Sequence, residues 1–200
     1  MKIMNYQNIN RFPCGYSENR PVPNGSKRNK ELNFSVKIVV LSDTHMPKRA
    51  KKIPERLIAD LKTADLIIHA GDWQTPDVLH QLKQYAPVEG VTGNVDGPEM
   101  RNFFNETLFL NVNQFIIGVV HGHGTKQTTE KRAIAAFNEV DVDCIIFGHS
   151  HIPKNYRRNG VLMLNPGSPT DKRREKCYSH AILTIDDEMT AEHIFYDNKD

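Results

Sequence analysis

Seven side chains that could bind a divalent cation are spread along the chain in five short polar clusters. Two clusters hold a pair of ligands at positions i and i+2, and the other three hold one ligand each. The residues are Asp43, His45, Asp72, Asn94, His121, His149 and His151. Carboxylate, amide and imidazole groups together accept several divalent metals. Hydrolysis of a phosphate ester by metal ions needs such a set, with one bridging ligand and open positions for water and substrate.

Each cluster also has an ordinary interpretation. Asp43-Thr44-His45 is typical of a turn after a strand, and Gly71-Asp72 and Gly93-Asn94 are common turn sequences in which Asn94 would tolerate a left-handed conformation. His149-Ser150-His151 could be a solvated loop. The metal site is favoured because all five clusters share one kind of position, directly after a predicted strand.

The apolar runs before the clusters are short and rich in β-branched residues, which is typical of buried strands. These predicted strands are 36–41, 66–70, 88–91, 114–120 and 143–147. Helices are predicted between the first three strands, one opened by Pro54 and one by Thr75-Pro76, with Thr75 as N-cap. This alternation predicts parallel βαβ units. Ligands of such sheets bind outside the carboxyl ends of the strands, so the clusters should converge.

The second half of the chain reads mainly as strands in pairs. Residues 107–112 precede the strand at 114–120, and residues 155–158 and 161–164 flank Asn159-Gly160, which is a strong hairpin signal. Two final strands, 180–185 and 190–196, surround an acidic turn, and Thr128 is a candidate cap for one more helix.

The order of the motifs resembles the signature of the calcineurin-like metallophosphoesterases: Asp-x-His, Gly-Asp, Gly-Asn-x-Asp, His and Gly-His-x-His. The resemblance runs from about Val36 to the C-terminus and looks closest to the small single-domain bacterial and archaeal branch, because no cap domain fits between the motifs. Asn165-Pro166-Gly167-Ser168 is also similar to a segment of that branch. The implied fold is α/β, a four-layer α-β-β-α sandwich of two mixed β-sheets flanked by helices. The implied activity is hydrolysis of a phosphodiester or phosphomonoester bond in a small phosphate ester.

The resemblance also implies two divalent metal ions, with Mn²⁺ preferred and Ni²⁺, Fe, Co²⁺ or Zn²⁺ as alternatives. One ion would be bound by Asp43, His45, Asp72 and His151. The other would be bound by Asp72, Asn94, His121 and His149, with Asp72 as the bridge. Such a pair of ions would activate a water between them for attack on phosphorus.

The sequence departs from this family at one position. Many members have a His directly after the motif Asn, where it helps to protonate the leaving group, and here that residue is Val95. His123 is the candidate substitute, although a loop histidine without a role fits the pattern equally well. Asn94 and His123 are therefore the predicted catalytic residues. Asp96 and Glu99 have the spacing of a capping box.

The composition is that of an ordinary globular protein, with 38% apolar and 25% charged residues in a length of 200. This length allows one domain with a sizeable core. The apolar runs are strand-sized and no secretory signal is evident, so we expect a cytoplasmic enzyme without a membrane partner. The three cysteines, Cys14, Cys144 and Cys177, are too few and too far apart for a disulfide framework or a paired-thiolate zinc motif.

Positive charge is concentrated near the N-terminus, where residues 1–52 contain 11 Lys/Arg and 3 Asp/Glu. Residues 1–35 show no sustained helical or strand period, which predicts a flexible basic extension before a metallophosphoesterase domain at 36–200. A basic arm could contact nucleic acid, but no helix-turn-helix, zinc-finger or aromatic RNA-binding signature accompanies it. A solvated tail is the preferred interpretation.

Two other functions stay open at this point. One is a non-catalytic metal-binding scaffold resembling the eukaryotic retromer subunit, whose metal site is compromised; here all seven ligand positions hold competent residues, which favours catalysis. The other is a nucleic-acid phosphodiesterase assisted by the basic arm. No pattern indicates an oligomeric state.

Overall fold

Two mixed β-sheets pack face to face in the computed structural model, which describes residues 9–11 and 35–199. The strands are β1 Ile9–Arg11, β2 Val36–Leu41, β3 Leu66–His69, β4 Val88–Gly90, β5 Thr107–Val112, β6 Phe115–Val120, β7 Cys144–Phe147, β8 Lys154–Arg158, β9 Val161–Asn165, β10 Tyr178–Ile185 and β11 Met189–Tyr196. The helices are α1 Glu55–Leu61, α2 Pro76–Leu82, α3 Pro98–Arg101 and α4 Thr129–Ala135. The predicted strands therefore all exist, with ends that differ by a few residues.

The first sheet has the strand order β11-β10-β2-β3-β4. Its β2, β3 and β4 are parallel, as the alternation of strands and helices predicted, whereas β10 pairs antiparallel with both β2 and β11. Because β2 and β3 run side by side in the same direction, the clusters that follow them, beginning at Asp43 and Asp72, emerge at the same edge.

The second sheet has the order β1-β5-β6-β7-β9-β8. Strands β6, β7 and β9 are parallel, and β8 and β9 form the predicted hairpin around Asn159-Gly160. Both turn residues have positive φ, 50° for Asn159 and 86° for Gly160. Two successive left-handed residues are what a tight hairpin with the usual strand twist requires.

Strand β1 was not predicted, because the sequence around it lacks a strand pattern. Ile9 to Arg11 pair antiparallel with β5, with Ile9 opposite Val112. Strand β5 is otherwise the edge of its sheet, and its free backbone groups can pair with a short segment of almost any sequence. Residues 1–8 and 12–34, where we predicted a flexible extension and where Cys14 lies, fall outside the described residues.

Three apolar clusters separate the layers and confirm the four-layer sandwich. Ile38 and Val40 point into the core between the two sheets, while Val39 and Leu41 point the other way, toward α1 and α2. This alternation follows from the two-residue period of a strand. On the outer face of the second sheet, Phe137 packs beside α4. Among the residues that the structure describes, no helix is long and apolar enough to cross a membrane.

The helix starts agree with most of the sequence signals. Thr75 is the N-cap of α2 with Pro76 as its first residue, and the Thr128 hydroxyl accepts a hydrogen bond from the Lys131 amide at 3.3 Å. The capping-box interpretation of Asp96 is wrong, because α3 begins after Gly97. The Asp96 carboxylate instead binds three backbone amides of the polar clusters, as described below.

Candidate metal centre

Six of the seven predicted ligands meet where the carboxyl ends of the central strands of both sheets come together. They form two groups, and within each group the ligand atoms lie within 4.8 Å of one another. The first group is Asp43, His45 and His151, and the second is Asp72, His121 and His149. Each group combines residues that follow β2 or β3 with residues that follow β6 or β7. The convergence predicted from the strand ends is therefore observed.

The Asp72 carboxylate lies between the two groups. Its Oδ2 atom is 3.7 Å from Nε2 of His45, and its Oδ1 atom is 3.3 Å from Nε2 of His121. One carboxylate thus presents a separate oxygen to each group. A carboxylate in this position could be shared between two cations.

Five of the clustered residues have a left-handed backbone, which is uncommon for residues other than glycine. The φ angles are 56° for Asp43, 46° for His45, 61° for Asp72, 65° for His149 and 60° for His151. Left-handed conformations cost roughly 1–2 kcal/mol per residue and accumulate at functional sites. Here they bend each chain at the end of a strand, so that both members of an i, i+2 pair can face one centre.

Backbone hydrogen bonds hold these bent segments beside one another. The amide of Asp43 donates to the Gly71 carbonyl at 2.9 Å, and the amide of His45 donates to the Asp72 carbonyl at 3.0 Å. In the second sheet, the Gly148 amide donates to the His121 carbonyl at 3.2 Å. The parallel pairing of β2 with β3 and of β6 with β7 therefore continues past the strands into the ligand loops.

Close contacts also join the two sheets at the site. The His149 amide donates to Oδ2 of Asp43 at 2.9 Å, and Ser42 donates to the same oxygen. Gly148 has no room for a side chain, since an added Cβ would overlap the Ser42 hydroxyl. A glycine is needed at this position because the two ligand loops touch there.

Two of the histidines have tautomers suited to binding a metal. Nδ1 of His121 lies 2.7 Å from the Ala70 carbonyl oxygen, and Nδ1 of His151 lies 2.5 Å from the Asp171 carbonyl oxygen. A carbonyl oxygen can only accept, so each Nδ1 carries a proton, and Nε2 of each ring has a free lone pair when that ring is neutral. Hydrogen bonding of one ring nitrogen in this way is the usual support of a metal-ligating histidine.

Several polar atoms of the site are buried without a hydrogen-bond partner. They include Oδ1 of Asp43, Nε2 of His121 and Nδ1 of His149. A buried polar atom without a partner is costly, and atoms of this kind rarely cluster in a folded protein. Because all three are good ligand atoms, a bound cation would satisfy them. The residues present therefore fit a divalent metal centre.

The charges of the site are coupled through these contacts. Burial alone would raise the pKa of the Asp43 carboxyl, but His151 and His121 outweigh it and hold that pKa well below its usual range. Burial, reinforced by the neighbouring His121, lowers the pKa of His149 to about 4. At neutral pH Asp43 is therefore a charged carboxylate and His149 a neutral imidazole, the forms that bind metal ions. Burial alone would lower the pKa of His121, but Asp72 and Asp43 outweigh it and raise that pKa.

Asn94 lies in an exposed turn immediately before Val95. The Val95 amide donates to Oδ1 of Asp72 at 3.1 Å, so this turn is fixed against the shared carboxylate. Asp96 also fixes the turn. Its carboxylate accepts hydrogen bonds from the backbone amides of Gly93 at 2.7 Å, Asp72 at 3.0 Å and Gln74. The assignment of Asn94 as a ligand stays a prediction.

His123 stands beside the second group rather than inside it. Its ring centroid is 5.6 Å from that of His121 and 6.4 Å from that of His149. Burial, followed by the nearby His121, lowers the pKa of His123, which favours the neutral imidazole. Its position near the site agrees with the sequence-based expectation, and its role as general acid stays a prediction.

The Asn165–Ser168 segment supports the ligand loop after β2 and the ligand loop after β7. The sequence alone did not show this role. Asn165 donates from Nδ2 to the Gly148 carbonyl at 2.9 Å, and Ser168 donates to the Asp43 carbonyl at 2.8 Å. The segment was visible in the sequence only through its similarity to a family motif. Its function depends on contacts that span up to 125 positions.

His69 is a second supporting residue that sequence reasoning missed. The Gly71 amide donates to its Nδ1 at 3.2 Å, so Nε2 carries the proton and contacts the Thr44 hydroxyl at 3.1 Å. The ring also stacks on Trp73, with centroids 3.7 Å apart. His69 therefore links the loops after β2 and β3 from inside the core. A histidine within an otherwise apolar strand was the available signal.

Comparisons with known proteins agree with this geometry. A family model described as "Calcineurin-like phosphoesterase superfamily domain" matches residues 36–188. A protein named "Probable metallophosphoesterase" from Methanothermobacter thermautotrophicus is 37% identical over 139 residues, covering 68% of this chain and 78% of the relative. A Bacillus subtilis protein named "Probable metallophosphoesterase YsnB" is 35% identical over 163 residues, covering 80% of this chain and 90% of the relative.

A solved structure shows the same fold at lower sequence identity. Vps29 from Entamoeba histolytica complexed with Zn²⁺ has a TM-score of 0.66 and 24% identity, over 80% of this chain and 99% of that chain. The matched segment 36–188 includes every one of the seven predicted ligands. The chain belongs to the calcineurin-like phosphoesterase superfamily and is a metallophosphoesterase, a hydrolase of phosphoric ester bonds.

Proposed function

We propose that the chain hydrolyses a small phosphodiester or phosphomonoester with two divalent ions. The first ion is assigned to Asp43, His45, Asp72 and His151, and the second to Asp72, Asn94, His121 and His149. The observation that carries this proposal is the position of Asp72, whose two carboxylate oxygens face different ligand groups at 3.7 Å and 3.3 Å.

The donor set indicates which ions suit the site. Each group combines one carboxylate with two imidazoles, and mixed oxygen and nitrogen ligands accept several first-row divalent metals. We propose Mn²⁺ as the working ion, with Ni²⁺, Fe, Co²⁺ and Zn²⁺ as alternatives. Zn²⁺ is the ion described for the Vps29 structure of the same fold.

When bound, the ions supply Lewis acidity toward the phosphate oxygens and lower the pKa of a water for attack on phosphorus. The residues supply the framework. Asp43 and Asp72 provide the negative charge that offsets the cations, and Nδ1 of His121 and of His151 stays bound to a carbonyl, which orients each ring. Asn94, which lies in an exposed turn, would offer its amide oxygen to the second ion and its amide N–H to a phosphate oxygen.

Two exposed apolar residues adjoin the ligand loops and indicate where an organic group would lie. Val95 follows Asn94 and is 42% exposed, and Ile152 follows His151 and is 45% exposed. Neither side chain can donate a proton. An ester with a partly apolar leaving group suits this rim better than a highly charged one.

Metal removal tests the proposal directly. The full chain is treated with a chelator, exchanged into metal-free buffer, and assayed on bis(4-nitrophenyl) phosphate and 4-nitrophenyl phosphate before and after Mn²⁺ is added. We expect turnover to fall to background and to return with Mn²⁺ at about two ions per chain. Full turnover in protein whose metal content has been verified as zero would contradict the proposal.

The two alternative functions have less support. A non-catalytic scaffold would be expected to lack a competent ligand set, whereas six ligands converge here. A nucleic-acid phosphodiesterase assisted by the basic arm relies on residues 1–35, most of which lie outside the described part of the chain. That alternative stays a prediction.

A further inference from the structure

A cavity of about 400 Å³ lies beside the metal centre, where the loop between β9 and β10 meets the loop after β2. Its walls are Arg49, Thr170, Asp171, Lys172, Arg173, Tyr178 and Lys199. Four of these seven residues are cationic and one is anionic. Arg49 belongs to the positively charged region at residues 1–52, whereas Lys172, Arg173 and Lys199 lie far from that region in the sequence.

The cations of this cavity are only partly neutralised within the protein. Arg49 pairs with the Asp171 carboxylate, at 3.1 Å from Nε to Oδ2. The two lysines have backbone carbonyls as their hydrogen-bond acceptors among the described residues: Lys172 donates to Lys176 at 2.7 Å, and Lys199 donates to Thr170 at 3.1 Å and to Arg49. Carbonyl oxygens orient an ammonium group but do not cancel its charge.

The two lysines also converge on one aromatic ring. Nζ of Lys172 lies 5.2 Å from the centroid of Tyr178, and Nζ of Lys199 lies 5.6 Å from the same centroid. Cation–π contacts stabilise each ammonium group modestly, but two positive charges held beside one ring repel each other. An anion bound in this cavity would offset both charges.

The cavity is joined to the metal centre by direct hydrogen bonds. The carbonyl of Asp171 binds Nδ1 of His151, and the amide of Arg49 donates to the His45 carbonyl at 2.8 Å. His151 therefore contacts the cavity wall with one ring nitrogen and faces the Asp43 carboxylate with the other, at 3.2 Å. A single imidazole ring separates the two sites.

We propose that this cavity binds a phosphate group, in addition to the phosphate that is hydrolysed at the metal centre. Ammonium groups recognise phosphate as point charges, and Arg49 and Arg173 add guanidinium donors that match its oxygens. The phosphate can be a second group on the substrate or a free inorganic anion. The chemistry is the same in both cases, and the two sources are separable by experiment.

A binding measurement tests the site independently of catalysis. The chelator-treated full chain, freed of chelator, is titrated with inorganic pyrophosphate by calorimetry at about 0.15 M salt, where long-range charge effects are screened. Removing the metals takes away the ions that would themselves bind the anion, and the lysine variants then report on the cavity. We expect Lys172→Ala and Lys199→Ala each to weaken binding about 10-fold, the loss of one charge-assisted contact.

Two further variants serve as controls for effects of substitution other than the loss of charge in the cavity. Lys172→Arg keeps the charge and should retain most of the affinity, while Lys131→Ala removes an exposed lysine on α4 and should change nothing. Absence of pyrophosphate binding by the wild type would overturn the proposal. Equal binding by the wild type and both cavity variants would overturn it as well.

A matched pair of substrates then identifies the source of the phosphate; this arm rests on the proposed phosphoesterase function. Thymidine 5′-(4-nitrophenyl phosphate) is compared with its 3′-phosphorylated form. If the substrate carries the phosphate, Lys172→Ala lowers kcat/KM about 10-fold for the 3′-phosphorylated ester only. If the phosphate is a free anion, both esters respond equally while the loss of pyrophosphate binding persists. Failure of turnover alone would count against the proposed function and leave the binding result standing.

Discussion

His45 and His151 face each other across the first ligand group, with their Nε2 atoms 3.4 Å apart and their rings stacked at a centroid distance of 5.3 Å. Nδ1 of His151 is bound to a carbonyl, so its Nε2 points a lone pair toward His45. Two imidazole nitrogens at this separation can share a cation, or one ring can donate a hydrogen bond to the other. Since the two residues follow strands of different sheets, a cation bound by both would link the two sheets at this edge.

Asp72→Asn should be among the most damaging conservative changes. The amide keeps the size of the side chain but loses the charge that would serve both ions, so we expect a fall in turnover of at least about 100-fold and weaker metal retention. Metal content by mass spectrometry is measured beside turnover. Asp77→Asn, on the exposed face of α2, is the matched control. Two bound ions and a near-normal rate in Asp72→Asn would show that Asp72 is not shared.

Asn165→Ala tests the support of the ligand loops. Its amide group binds the Gly148 carbonyl and the Ser150 hydroxyl, and its side-chain oxygen accepts from the Gly167 amide. Losing such support around metal ligands typically costs about 10–100-fold in metal affinity or activity, and we expect that range here. The control is Asn155→Ala, whose amide also bonds to a backbone carbonyl but on the hairpin away from the site. Equal losses of metal affinity or activity in the two variants would show that Asn165 has no special role in supporting the ligand loops.

Hydrolysis rates should depend strongly on the leaving group, because Val95 cannot donate a proton. General-acid assistance is typically worth about 10²–10⁴-fold, so esters of nitrophenol should react far faster than esters of simple alcohols. A series of aryl and alkyl diesters gives the slope of rate against leaving-group pKa. We expect Val95→His to flatten that slope, if its imidazole reaches the leaving oxygen.

His123→Ala decides whether the neighbouring histidine supplies the missing proton. If His123 is the general acid, the wild-type slope is shallow and becomes steep in the variant. If Val95 leaves the reaction unassisted, the slope is steep in both proteins. A shallow wild-type slope that His123→Ala steepens would contradict the emphasis on Val95.

Acid should destabilise the fold through His180, which lies on β10 and is not one of the predicted metal ligands. His180 is buried against Asp60, and burial lowers its pKa to about 4. The unfolded chain binds the proton from about pH 6.5 downward, whereas the folded chain resists it until about pH 4. Neutral His180 therefore makes its full contribution to the free energy of unfolding above about pH 6.5. This contribution, up to about 3 kcal/mol, is lost as the pH falls from about 6.5 to about 4.

Urea unfolding at pH 7 and pH 5 measures this loss. In His180→Gln the free energy of unfolding should change less between the two pH values than in the wild type. His80→Gln, on the exposed face of α2, should behave like the wild type. An unchanged pH dependence in His180→Gln would assign the acid sensitivity to other groups.

The sequence predicted those parts of the site that follow from strand periodicity. Asp43, Asp72, His121 and His149 could be placed together because each follows an apolar run, and parallel strands end at a common edge. The supporting contacts could not be predicted, because Ser168 reaches Asp43 across 125 positions and no local pattern records such a contact. Strand β1 was missed for a related reason: its pairing depends on the free edge of β5 rather than on its own residues.

The left-handed conformations at the site were also invisible to local propensity. Asparagine and glycine in a sequence indicate positions with a left-handed backbone, whereas histidine does not. The left-handed backbones of His45, His149 and His151 are held by tertiary contacts instead. The basic cavity was missed because its lysines are separated by 27 positions, at Lys172 and Lys199, and meet only through Tyr178.

The position of β10 between β11 and β2 bears on how the protein is made. The first ligand group needs His151, its supporting segment ends at Ser168, and the sheet that carries Asp43 is completed only when β10 pairs with β2. The two ligand groups are therefore whole only after the chain has been translated past His151 and His149, respectively. A chain translated only as far as β7 would present imidazoles and carboxylates that cannot yet hold an ion together.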